Sequence, residues 1–137
     1  MIRIARSLLA VAEAAADAAL PAEACGLLVG RHAGDDLWIE SLLVTPNRAP
    51  AALRARRFRI DPAMHAALQR RLRGTGSEIV GVFHSHPQGP ARPSTEDLAS
   101  ARPECPLMLI LSRAGDPAGD WQATIHSGAH RLAWRIV

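Results

Sequence analysis

His84 and His86 stand two residues apart at the end of an apolar run, Glu78-Ile79-Val80-Gly81-Val82-Phe83, and further on the chain reads Ser94-Thr95-Glu96-Asp97. On an extended strand, side chains two apart leave the same face, roughly 6.5–7 Å apart along the backbone. Two imidazoles so placed can converge on one metal ion through bonds of ~2.0–2.1 Å. Ser94 and Asp97 share a face if Ser94 starts a helix. The Asp97 carboxylate would then complete a three-ligand site with a fourth position open for water, the feature that separates a catalytic zinc from a structural one. At this chain's own composition the pattern H-x-H-x7-S-x2-D has an expected chance count on the order of 10⁻³.

Plainer readings exist for each piece. Two histidines after a strand can be surface loop residues, and Ser94 with Asp97 also fits the S-x-x-[DE] helix cap ahead of Leu98. Cap and site are compatible, because a serine hydroxyl can accept from a backbone N–H and still donate to a substrate oxygen.

The run H-S-H-P…S-x-x-D is preceded by Pro21-Ala22-Glu23-Ala24-Cys25-Gly26-Leu27-Leu28-Val29-Gly30 and by a middle N-x…F-x-I-D-P segment from Asn47 to Pro62. Together these resemble the JAMM (MPN-plus) zinc metallopeptidases, most closely their short prokaryotic stand-alone members. The resemblance implies that His84, His86 and Asp97 bind one zinc ion per chain, that Glu23 is the general base and acid, and that Ser94 steadies the oxyanion. None of the five positions departs from the family's pattern. From position alone Glu23 reads as a helix-end surface residue; the resemblance reverses that. It also implies a substrate class. Large members cleave isopeptide bonds of ubiquitin with the help of insertions for which 137 residues leave no room. Short bacterial members trim ubiquitin-like sulfur-carrier proteins to a carboxyl-terminal Gly-Gly. A narrow groove beside a sheet edge suits such a tail, since backbone pairing gives affinity and only glycine fits beside the metal.

The elements that must position these residues follow from periodicity. Arg6 to Ala19 is Ala/Leu-rich with one apolar face and reads as a helix ended by Pro21. Ala24 to Val29, bounded by Gly30, reads as a buried strand. Leu37 to Val44 reads as its hairpin partner across the Gly34-Asp35-Asp36 turn. Asp61-Pro62 opens a helix that stops at Gly74. The histidine strand follows, then a loop rich in Pro and Gly and a short helix from Thr95. Leu107 to Leu111 is a continuous apolar strand, and Trp121 to His126 with Leu132 to Ile136 read as a closing antiparallel pair. The expected class is α/β, a mixed β-sheet flanked by helices in a single domain over residues 1–137. The resemblance implies the JAMM/MPN fold, similar in architecture to cytidine deaminases.

Composition bounds the rest. With 48% apolar and 21% charged residues the chain is a globular protein able to bury a core. Glu13 and Asp17 interrupt the apolar amino-terminal stretch, which argues against a signal peptide, and no stretch is long enough to span a membrane. A soluble, cytoplasmic protein is expected. All 16 basic residues are arginine, with net charge +3. The cluster Arg54, Arg56, Arg57 and Arg59 could border an acidic partner or nucleic acid, but with 4% aromatics and no Tyr a base-stacking platform is not expected. Cys25 reads as a small buried hydrophobe, with a Cys–His nucleophilic pair as the lesser reading; Cys105 is given no role. His32, His65, His126 and His130 lack partners at metal spacing. A zinc deaminase would need H-x-E and P-C-x-x-C, of which Pro103-Glu104-Cys105-Pro106 supplies one cysteine, and no H-E-x-x-H occurs. The serious rival is a non-catalytic MPN-type module that binds ubiquitin-like partners.

Overall fold

The structure, a computed structural model, describes residues 1–101, 106–113 and 119–137. Cys105 and the Pro103-Glu104-Cys105 run lie outside the described residues. Eight strands form one mixed sheet: β1 (Ile2–Ile4), β2 (Cys25–Ala33), β3 (Asp36–Thr45), β4 (Glu78–His86), β5 (Leu107–Ser112), β6 (Gln122–Ser127), β7 (His130–Leu132) and β8 (Trp134–Ile136). Among the described residues three α-helices accompany it, α1 (Arg6–Ala19), α2 (Pro62–Leu72) and α3 (Thr95–Ala99), with one 3-10 turn at Ala51–Leu53. The class is α/β, as expected.

The strand order is β7-β6-β5-β4-β2-β3-β1-β8. Its two outermost strands are separated in the chain by Ala133 alone, so the sheet must curl nearly into a barrel for both to find their places. The carboxyl-terminal segment therefore departs from the sequence reading. It does not form one strand paired with β6: His130–Leu132 pairs antiparallel with β6, while Trp134–Ile136 crosses over and pairs parallel with β1. The strand β1 itself is too short to announce itself by periodicity. It exists because β3 and β8 both offer it a parallel edge. Nor does Gly30 end β2. The strand runs on to Ala33, and Gly30 follows a register shift where a side chain would strike the Trp38 carbonyl.

Local chemistry explains the elements that hold the site. β2 and β3 join through a two-residue loop in which Gly34 takes φ +60°, a conformation open to glycine at no steric cost. Asp61 caps α2 by accepting from the Ala63 N–H at 2.9 Å, with Pro62 in the first turn. α1 buries Leu9, Ala12 and Ala16, a helical stripe whose small residues let it sit close to the sheet. That face forms the main core with Leu28, Phe83, Leu109, Leu111 and Ile125. On the other side Leu27 and Ile79 pack with Ile60, Leu68, Leu72 and Val82, beneath α2. The central strand β4 lies between these layers, antiparallel to β2 and parallel to β5. No helix among the described residues is long and apolar enough to cross a membrane.

Candidate metal centre

Both histidines lie at the carboxyl end of β4, where register sets His84 opposite Cys25 on β2 and beside Ile110 on β5. Glu23 lies two residues ahead of β2, so the antiparallel pairing brings its carboxylate to the histidine end. Asp97 arrives from α3. Ser94 caps that helix with its hydroxyl accepting the Asp97 N–H at 3.0 Å, while the Ser94 N–H donates to Asp97 Oδ2 at 2.8 Å. The cap and the expected site are thus the same residues. The carboxylate that caps the helix is also the one aimed at the histidines.

All five sequence-predicted residues come together, four of them buried: Glu23, His84, His86 and Asp97 are at most 5% exposed. Glu23 Oε1 lies 3.5 Å from His84 Nδ1, and Asp97 Oδ2 lies 3.7 Å from His84 Nε2 and 3.1 Å from His86 Nε2. Ligand atoms of Glu23, His84 and His86 fall within 4.8 Å of one another, a grouping that can hold a metal ion. The two carboxylates flank His84 on opposite sides. Asp97 reaches the Nε2 atoms of both imidazoles, whereas the short contact of Glu23 is with Nδ1 of His84.

Several residues without an expected chemical role build the frame. Ser85, on the strand face opposite the histidines, accepts the Ala24 N–H at 2.8 Å and donates its own N–H to the Ala24 carbonyl at 3.1 Å. Asn47 donates to the carbonyls of Glu23 (3.1 Å) and Arg57 (2.9 Å), and the Glu23 N–H donates to the Arg54 carbonyl at 2.7 Å. The Phe58 ring stacks on His84, centroids 4.5 Å apart. The Pro/Gly loop after β4 is pinned at three successive carbonyls. Ser112 donates to Gly89 (2.5 Å), His86 Nδ1 to Pro90 (2.8 Å) and Thr124 to Ala91 (3.1 Å). His126 Nε2 lies 3.2 Å from the same Ala91 oxygen and 3.0 Å from Thr124 Oγ1. Apart from Pro90, four residues from His86, these partners are distant in sequence, so no local pattern betrays them. Only Asn47 and Phe58, inside the quoted middle segment, carried a signal.

The electrostatics fit a cation-binding site. Burial alone would push the Asp97 carboxyl up, but the His86 hydrogen bond, the His84 charge and the Ser94 N–H outweigh it and hold it well below the usual carboxylate range. Burial alone would push His86 down; its bonds to Asp97 and the Pro90 carbonyl raise it instead. Cys25 is otherwise engaged. Burial pushes its thiol up, and Sγ sits 3.5 Å from Thr45 Oγ1, so the nucleophilic reading lacks a thiolate.

Whether these residues suit a metal is tested by His84. It is 0% exposed, and neither ring nitrogen has a hydrogen-bond partner; Glu23 Oε1 is likewise buried and unpartnered. Each unsatisfied buried polar group costs on the order of 1–3 kcal/mol. A divalent cation bound at Nε2 would remove one such cost, so the donor set fits. Two imidazoles and a carboxylate are also the ligand types zinc accepts.

The model of the prokaryotic homologs of the JAB domain matches residues 5–126. A probable TtuB-protein conjugate cleaving protease of Thermus thermophilus is 32% identical over 90 residues, covering 66% of this chain and 56% of that protein. The match therefore spans a little over half the relative's length. Among solved structures, a protein from Desulfitobacterium hafniense superposes with a TM-score of 0.78 at 31% identity, covering 100% of this chain and 93% of the other. A JAB1/MPN domain protein from Archaeoglobus fulgidus shares the fold, with a TM-score of 0.63 at 23% identity over 99% of this chain and 97% of that one.

Proposed function

Because the chain belongs to the family of prokaryotic homologs of the JAB domain, a zinc-metallopeptidase-like domain of the JAMM/MPN type, we propose that it is a zinc-dependent peptidase acting on a ubiquitin-like or sulfur-carrier protein. The bond cut is the peptide or isopeptide bond that follows a carboxyl-terminal Gly-Gly. The observation that carries this reading is His84, buried among Glu23, His86 and Asp97 with neither ring nitrogen hydrogen-bonded and a carboxylate oxygen within 4 Å of each. The name of the Thermus relative, which speaks of cleaving a protein conjugate, supports the substrate class.

In this reading His84, His86 and Asp97 hold one zinc ion per chain. When bound, zinc supplies Lewis acidity and brings the pKa of a water to roughly 7. Glu23 Oε1, buried and free of hydrogen bonds, takes the proton of the attacking water and returns it to the leaving amine. Ser94 keeps its hydroxyl oxygen on the Asp97 N–H and donates a hydrogen bond to the oxyanion of the substrate carbonyl. Losing such a donor costs on the order of 2.7–4 kcal/mol of barrier. Pro90 orients the His86 ring through Nδ1, and Phe58 covers the face of His84. A groove of about 260 Å³ runs up to Asp97 between Leu27, Phe58, Ile60, Val82 and Met108. Arg59, His65 and Ser100 add polar groups to this apolar lining, and in this reading the groove takes an extended tail of small residues.

The test uses one ubiquitin-like carrier in two forms, with Gly-Gly or Ala-Ala ahead of a carboxyl-terminal extension, followed by intact mass. The parent protein should trim the Gly-Gly form alone, and Glu23→Gln should retain zinc and trim neither. Equal cleavage of both forms refutes the specificity. Equal rates for Glu23→Gln and parent refute Glu23 as base. Zinc-loaded protein that binds the carrier without cutting it leaves the non-catalytic binding module as the better reading.

A further inference from the structure

The segment from Asn47 to Ile60 carries five arginines (48, 54, 56, 57 and 59) and no acidic residue. All five side chains are exposed. The backbone that bears them is nevertheless a wall of the metal centre. Asn47 Oδ1 accepts from the N–H groups of Ala49 (3.0 Å) and Arg59 (3.1 Å), its amide reaches the Glu23 carbonyl, and Phe58 lies on His84. The guanidinium groups are therefore carried at the rim of the site on backbone fixed by at least four hydrogen bonds, counting the one from the Glu23 N–H to the Arg54 carbonyl.

Their partners are few. Arg57 pairs with Glu96 at 3.1 Å, tying the segment to the helix that carries Asp97. Arg54 donates to the Ala49 carbonyl, which leaves its charge unneutralised. Among the described residues, the side chains of Arg48, Arg56 and Arg59 make neither ion pair nor hydrogen bond. By contrast Arg3, Arg31 and Arg113 each face a carboxylate within 4 Å. Four unneutralised like charges on one short segment repel one another, a cost relieved when an opposite surface arrives.

We propose that the Arg48–Arg59 rim is the docking surface for an acidic face of the protein substrate, adjacent to the tail that enters the groove. This deepens the peptidase reading and rests on it. Arg59 lines the mouth of the groove together with Phe58 and Ile60, so the charge array and the tail channel are continuous. A nucleic acid fits less well. The Phe58 ring is taken up by His84, while Trp121 and Trp134 line a different cavity, beside α1 and β6, so no aromatic platform accompanies the arginines. Exposed charge pairs are screened by salt, so the surface acts through encounter rate and partner choice.

Binding is measured by fluorescence anisotropy on the metal-loaded protein, with peptide probes that end at Gly-Gly and so offer no bond beyond it to cut. The probes are a labelled peptide of acidic residues ending in Gly-Gly, the same peptide with Asn and Gln in place of Asp and Glu, and a single-stranded oligothymidine of similar length. The acidic peptide should bind about tenfold tighter than the amide peptide at low salt, with most of that advantage lost by about 300 mM NaCl. Arg48→Glu with Arg56→Glu should abolish the advantage, and Arg48→Lys with Arg56→Lys should keep most of it, which separates lost charge from a damaged fold. Equal binding of the two peptides, or an advantage that survives the double charge reversal, overturns the proposal. So does an oligothymidine that outcompetes the acidic peptide at about 150 mM NaCl, since the rim is then a nucleic-acid face. Cleavage of a Gly-Gly carrier alongside equal peptide binding would remove the docking rim and leave the peptidase reading intact.

Discussion

Ser85 and Ala24 exchange two hydrogen bonds, Ala24 N–H to Ser85 Oγ at 2.8 Å and Ser85 N–H to the Ala24 carbonyl at 3.1 Å. One residue lies between the two histidines and the other next to Glu23, so this exchange fixes the distance between the carboxylate and the imidazoles. Ser85 touches none of the reacting groups. Its position between them makes it a positioning residue.

Ser85→Ala leaves the Ala24 N–H buried without an acceptor, which should cost about 1–3 kcal/mol of stability. Zinc content should persist, because His84 and His86 keep their strand. Hydrolysis should fall, since Glu23 loses its anchor. Thermal denaturation with elemental analysis checks the first two, and an unchanged rate on a Gly-Gly carrier would show that the exchange positions nothing.

The loop that orients His86 should depend on Thr124. Thr124→Val removes a donor to the Ala91 carbonyl and should weaken zinc affinity by about tenfold, the lower end for groups that support metal ligands. Thr124→Ser should behave as the parent. Competition with a chelator of known affinity provides the measurement, and equal affinity of the valine variant would show that the loop holds without this pin.

The pH dependence of the zinc-free protein follows from Asp97 and His86. The folded-state pKa of Asp97 is depressed, by His86 and its neighbours acting against burial, so its contribution is present above the ordinary carboxylate range and is lost as pH falls through the depressed value. That of His86 is raised, so its contribution is full below the ordinary histidine value of about 6.5 and is lost as pH rises through the raised value. Chelator-treated protein should therefore melt highest in mildly acidic buffer and lose stability as pH rises beyond the ordinary histidine range. Zinc-loaded protein should not show that alkaline loss, because the metal requires His86 unprotonated. Parallel alkaline loss in both forms would show that His86 is not displaced from its proton by metal.

The sequence spoke clearly where a pattern is local. The bounds of α1 match the expected Arg6–Ala19, and the Gly34 turn and the Asp61-Pro62 cap announced their elements because each is a few adjacent residues with one physical role. His84, His86, Ser94 and Asp97 stood out for the same reason, as one short motif with fixed spacing, whereas Glu23 stood out only through the family resemblance. What stayed hidden depends on partners far along the chain. The strand β1 and the crossover of Trp134–Ile136 exist only as edges offered by other strands. Ser112 and Thr124, beneath the Pro/Gly loop, act across separations that no period or spacing encodes.

The central claim is that buried His84, whose ring nitrogens make no hydrogen bond, belongs to a metal site completed by His86 and Asp97. Elemental analysis of purified protein tests it most directly. The account predicts about one zinc per chain in the parent, and a sharp loss in His86→Ala and Asp97→Ala while circular dichroism shows the fold retained. Full zinc occupancy in both variants would contradict it.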